Sequence, residues 1–218
     1  MTVSSSVTAD SSITIKPDVA ARMAEAYDAA GRGDYHAALA IWGPLAQAGV
    51  ARAQNNVGAC FAEGLGVERD FALALRWLTL AAEARDPVGQ RNLAALYFKG
   101  EGVEQDHTRA AELYRAAAEA GDGPAQDMLS WMLLEGESIA CDAIEARRWA
   151  AAAADQGVAA SMTRLGMIIT TRWKSIAIRR WRQRGGPKRP REAMPMVRRC
   201  SARHICSEPA RRATASPL

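Results

Sequence analysis

Histidine is scarce in this chain: His36, His107 and His204 are its complete set among 218 residues, and cysteine numbers only four. No HExxH spacing, no serine–histidine–aspartate order and no Gly-x-x-x-x-Gly-Lys-Ser/Thr loop occurs, so neither zinc peptidase, triad hydrolase nor P-loop chemistry has a foothold. Acidic residues stand singly, which leaves no paired carboxylates for general acid–base work. Cys200 and Cys206 with His204 between them do not have the spacing of a zinc site. The reading is therefore no catalytic residue, no metal and no cofactor. No apolar run approaches the roughly 20 residues that a membrane helix needs. The first residues, MTVSSSVTADSSITIKPD, have neither a basic nor an apolar signal region. Four cysteines without such a signal argue for reduced thiols and a cytoplasmic setting. With 49% apolar and 24% charged residues the composition is that of an ordinary folded protein.

Charge is divided unevenly. Residues 169–218 hold 14 of the 28 Lys/Arg and two of the 24 Asp/Glu, a net +12, which leaves −8 on residues 1–168. A basic tail on an acidic body would ordinarily suggest nucleic acid or an acidic partner.

The body is periodic. Asp70, Asp106 and Asp142 are spaced by 36 residues, and Gly64, Gly100 and Gly136 share that register. So do Ala74, Ala110 and Ala146, then Trp77, Leu113 and Trp149, then the pairs Ala81-Ala82, Ala117-Ala118 and Ala153-Ala154. Val57, Leu93, Leu129 and Leu165 form another column, and Gly121 and Gly157 close two units. Each unit reads as two helices. The first, near 52–63 or 88–99, repeats apolar residues every fourth position and stops at a glycine. The second opens on an aspartate suited to N-capping and is lined with alanine. One such unit cannot bury its apolar face alone, so the expected fold is all-α, a right-handed α-solenoid of helix-turn-helix repeats. The boundaries read as a disordered leader over 1–15, a degenerate N-terminal repeat over 16–49, repeats over 50–86, 87–122 and 123–158, and the start of a fourth at 159. Asp34, Ala38, Ile41, Leu45, Ala46 and Gly49 carry the second-helix columns of the degenerate unit.

The run Ala53-Gln54-Asn55-Asn56-Val57-Gly58, followed by Phe61, Gly64-Leu65-Gly66-Val67, Asp70, Ala74, Trp77 and Ala81-Ala82, resembles a Sel1-like repeat, a relative of the tetratricopeptide repeat. Gln90, Leu93, Tyr97, Gly100-Glu101-Gly102-Val103, Asp106, Ala110, Ala117-Ala118 and Gly121 match likewise. The third unit has Glu137-Ser138-Ile139-Ala140 where the others have a second glycine and a valine, so a distorted turn is expected there. The resemblance implies an adaptor that holds proteins together and implies no reaction.

At Leu165-Gly166 a fourth unit begins on schedule and then the pattern stops. Reading the third base of each codon with the first two of the next restores it. Lys174-Ser175 permits Val, Ala177-Ile178 permits Asp, Trp181-Arg182 permits Ala and Arg184-Gly185 permits Trp, each 36 residues beyond its column. We read residues 169–218 as a frameshifted, poorly ordered tail created by a one-base change near codon 169. On that reading its charge is no nucleic-acid footprint. The alternative is a genuine tail that binds nucleic acid or an acidic partner.

Function then falls to the concave face. By analogy with tetratricopeptide geometry, its exposed positions are Arg52, Asn55, Ala59 and Glu63, then Arg91, Phe98 and Lys99, then Asp127, Trp131 and Glu135. Aromatic and arginine side chains are the usual energetic anchors of interfaces. Phe98 and Trp131 are expected to grip a peptide or helix of a protein partner while Arg52, Arg91 and Lys99 pair its acids. Packing of Trp131 between units is the competing reading. The two cysteines nearest these elements are assigned to the core (Cys60) and to a loop (Cys141).

Overall fold

The computed structural model describes residues 17–136 and 139–167. The leader assigned to 1–15, the loop residues Glu137 and Ser138, and the tail assigned to 169–218 lie outside the described residues. Eight helices follow one another: α1 (Pro17–Gly31), α2 (Tyr35–Gln47), α3 (Ala51–Glu63), α4 (Phe71–Glu83), α5 (Pro87–Lys99), α6 (His107–Glu119), α7 (Gly123–Glu135) and α8 (Ala143–Asp155). Residues 159–167 are helical too, and no strand occurs among the described residues. Every helix from α1 to α8 packs on its chain neighbours, and α3 also touches α5. Contact confined to neighbours is what makes the molecule an all-α solenoid. No helix among the described residues is long and apolar enough to cross a membrane.

The second helix of each unit starts where an aspartate can satisfy orphan amides. Asp34 accepts from the Ala37 amide at 3.0 Å, Asp70 from Ala72 and Leu73, Asp106 from Arg109, and Asp142 from Ile144 and Glu145. The capping residue also closes the hairpin through its own amide. Asp70 donates to the Phe61 carbonyl at 3.0 Å and Asp106 to Tyr97 at 3.0 Å. In the third unit Asp142 donates to Leu133 at 3.2 Å, so the closure survives the changed loop sequence.

Both kinds of helix end in a left-handed residue. Gly64, Gly100 and Gly136 have φ of 74°, 75° and 67° and return their amides to the Cys60, Leu96 and Met132 carbonyls. After α2, α4, α6 and α8 the chain makes the double-bonded Schellman turn. The amides of Val50, Asp86, Asp122 and Val158 reach back to Leu45, Ala81, Ala117 and Ala153 at 3.0–3.1 Å. Glycine supplies the positive φ at 49, 121 and 157, whereas the corresponding residue after α4 is Arg85, at φ 60°.

Alanine fills the columns where two helices meet most closely. Ala74, Ala110, Ala146, Ala81, Ala117 and Ala153 are all at 0% exposure. Cys60, Leu96 and Met132 share a buried column, and Val57, Leu93 and Leu129 share another. Successive units are also stitched by polar contacts. Arg115 of α6 forms a bidentate pair with Glu145 of α8, which takes the Trp149 indole Nε1 at 3.1 Å as well. The Arg115 guanidinium holds the Glu145 carboxyl below the usual carboxylate range.

Candidate functional site

The first helices of the three repeats, α3, α5 and α7, carry the ten positions assigned to the interaction face. α3 lies against α5, whereas α5 and α7, like the second helices of successive units, meet only marginally. On this layer Phe98 of α5 and Trp131 of α7 come together edge to face, with ring centroids 5.7 Å apart at 77°. Both are partly buried and rest on the core. His107, the first residue of α6, meets Phe98 on another edge at 4.9 Å and 77°. It is half-buried, whereas His36 is exposed. The Trp131 ring therefore shares both alternatives: it packs between units and keeps part of its surface open.

Glu63 and Glu135 are exposed at the ends of α3 and α7. Lys99 is mostly exposed, and its Nζ lies 3.6 Å from a Glu101 carboxylate oxygen. Ala59 is half-buried.

The remaining polar residues are used inside the protein. Asn55 is only 3% exposed. It accepts from Asn92 Nδ2 of the next repeat at 2.8 Å and donates to Asn56. Asp127 is buried as well and accepts from Ser161 and Arg164 of the following helical segment. The expected exposure of these two is corrected: a polar residue facing the next helix finds its hydrogen bonds there. Arg52 donates through Nε to Asp86 Oδ1 at 2.9 Å, and Arg91 spans both oxygens of Asp122 at 2.9 and 3.1 Å. Those guanidiniums hold the next repeat in place instead of standing free for a partner's acids.

Asp86 and Asp122 are the functional pieces that column matching overlooked. Each caps the first helix of the next repeat, Asp86 on the Gly89 amide and Asp122 on that of Ala125, both at 2.8 Å. Asp86-Pro87 and Asp122-Gly123-Pro124 announced them, since a capping acid followed by proline in the first turn is a helix-start signature.

Reactive groups are not assembled here. Among the described residues no three His, Cys, Asp or Glu side chains could hold a metal ion. Cys60 is free and buried, and burial, helped by Glu63, pushes its thiol up to about 11, far from a nucleophilic thiolate. Cys141 lies in the loop before α8, next to the capping Asp142, as its position in the sequence implied. The arrangement offers surface, shape and charge.

The Sel1 repeat family model matches residues 51–86, 87–122 and 123–158. Among solved structures, a protective antigen of uropathogenic Escherichia coli strains displaying an SLR fold is similar at 30% identity and TM-score 0.60, over 69% of this chain and 33% of that one. A Sel1 repeat protein from Oxalobacter formigenes is similar at 27% identity and TM-score 0.62, over 66% of this chain and 60% of that one. This chain thus spans about a third and three fifths of their lengths. No curated protein matches the chain. Three matched repeats, their shared caps and turns, and two solved relatives of the same fold place this chain in the Sel1-like repeat family.

Proposed function

We propose that the chain is a non-catalytic adaptor that holds a peptide or helix of a protein partner on the α3–α5–α7 layer, with Phe98 and Trp131 as its anchors. Sel1 repeat proteins generally mediate protein–protein interaction. The observation that carries the reading here is the aromatic pair itself. It joins α5 of one repeat to α7 of the next, and it remains partly open. Large rings that are half-packed at a seam lose little freedom on binding, which suits them as anchors. Lys99 follows Phe98 and Glu135 lies one helical turn beyond Trp131, exposed charges that would choose among partners, with Glu63 at the matching end of α3. Arg52 and Arg91 contribute indirectly, by fixing the angle between repeats.

The test is selection from a random twelve-residue peptide display library on the full-length protein. Enriched peptides are expected to lose about tenfold or more in affinity, the size of one hot-spot truncation, when Trp131 or Phe98 is replaced by alanine. The variants must unfold at the same temperature as the wild type. Selected peptides that bind both variants as tightly as the wild type would place the interaction elsewhere.

A further inference from the structure

The partner's charge follows from where the cations are used. Around the aromatic pair the basic residues are largely spent. Arg91 is held by both Asp122 oxygens, and Arg164 is held by Asp127. Arg109, at the start of α6, lies over the Tyr97 ring at 4.7 Å. Lys99 stands 3.6 Å from Glu101. The acids of the same neighbourhood are more available. Glu135 follows Trp131 by one helical turn and is exposed, and Glu104 is exposed in the loop between α5 and α6. That loop is tied beside Phe98, because Gln105 Nε2 donates to the Phe98 carbonyl at 2.8 Å. The first helices run in the same sense, so the partial negative charge of their C-terminal ends adds to this rim. Net charge on residues 1–168 is −8, which gives the local imbalance the same sign as the body.

Taking the anchor role of Phe98 and Trp131 from the proposed function, we infer that this surface receives a basic, amphipathic segment. Its apolar residues would rest on the two rings, and its Lys or Arg side chains would meet Glu104 and Glu135. An acidic segment, the partner that Arg52, Arg91 and Lys99 would have suited, meets an unfavourable rim.

Two synthetic twelve-residue peptides separate these cases, each with four leucines at helical spacing and the remaining positions divided between alanine and four lysines or four glutamates. Fluorescence anisotropy of the labelled peptides is read on the full-length protein. The quantity scored is the component of binding that disappears in Trp131→Ala, which sets aside any binding by other parts of the chain. The lysine peptide is expected to bind at least about tenfold tighter than the glutamate peptide in that component and to weaken as salt rises. Exchanging Glu104 and Glu135 together for lysine should reverse the preference without moving the thermal midpoint appreciably. A Trp131-dependent preference for the glutamate peptide, or none between the two, overturns the basic partner while leaving the anchors standing. Lysine-peptide binding that is untouched by Trp131→Ala overturns both the basic partner and the anchor role. Binding of neither peptide overturns the basic partner.

Discussion

Arg85 sits at φ 60° in a column that is otherwise glycine, at 49, 121 and 157. Left-handed backbone costs a side-chain-bearing residue about 1–2 kcal/mol, and a glycine's greater freedom when unfolded returns about half of that. A Cβ at the three equivalent glycines would meet nothing within 4 Å, so the column excludes side chains through backbone angle and not through crowding. Arg85→Gly is therefore expected to stabilise the protein by about 0.5–1 kcal/mol, measured by urea unfolding. Gly102 makes the opposite case. Its φ is 73°, and a Cβ there would stand 2.5 Å from Phe71 Cβ. Gly66 has the equivalent seat on Tyr35, one repeat earlier. Gly102→Ala should thus cost about 2 kcal/mol or more, strain and overlap acting together. Tyr114 supplies a pH-dependent contribution. It is buried, and burial pushes its hydroxyl up to about 12 from 10, partly offset by Arg91. A raised pKa means the fold favours the protonated phenol, so this contribution is complete below pH 10 and is lost as pH rises from 10 towards 12. Tyr114→Phe is expected to flatten the alkaline limb of a stability–pH curve over that window, by about 2 kcal/mol at most. Cys60 acts in the same direction over pH 9 to 11, so some alkaline loss should remain in the variant.

Helices are anchored at both ends by residues that act twice. Asp86 caps α5 and receives Arg52 from α3, while its amide completes the turn that ends α4. Removing the carboxylate strikes the cap and strands the guanidinium, whereas removing the guanidinium leaves the cap intact. Asp86→Ala should cost about 1–2 kcal/mol, typical of a lost N-cap. Arg52→Ala should cost below about 1 kcal/mol because the arginine side chain is 43% exposed and its attraction is screened. A double-mutant cycle in urea would show a coupling of about 0.5 kcal/mol. No measurable coupling would mean that the Arg52–Asp86 pair contributes no register of its own. The caps of the second helices were legible because aspartate recurs in all four units, at 34, 70, 106 and 142. Those of the first helices were not read from periodicity, because that column runs Val50, Asp86, Asp122, Val158 and only its middle members cap. The same limit explains Asn55 and Asp127. Their helical positions were read correctly, but their burial depends on the neighbouring repeat supplying Asn92, Ser161 and Arg164. A column reveals what is repeated, whereas exposure is decided by what stands opposite.

At the scale of the whole molecule, stability in a stacked array is close to a sum of units and the interfaces between them. The helical segment 159–167 is held to α7 by Ser161 and Arg164 on Asp127, in the register of the Asn55–Asn92 contact. Leu165 continues the column of Leu129 but is only half-buried where Leu129 is at 0%. Met162 nearby is 51% exposed. We propose that these residues begin a fourth repeat whose second helix was encoded by the shifted reading frame of residues 169–218. That frame permits the capping aspartate and the alanine and tryptophan columns at their 36-residue spacing. The added helix can then cover Leu165 in the way that α8 helps to cover Leu129. A frame-corrected chain is therefore expected to unfold at higher temperature than the present one, by about 2–4 °C for each kcal/mol that the new interface contributes. Its far-ultraviolet circular dichroism should also show more helix per molecule. The nucleotide sequence provides the earlier check, since the shifted frame must run open through the aspartate and tryptophan codons. A shifted frame interrupted by stop codons, or a corrected chain with the same midpoint and helix content, would mean that the repeat array ends with 159–167.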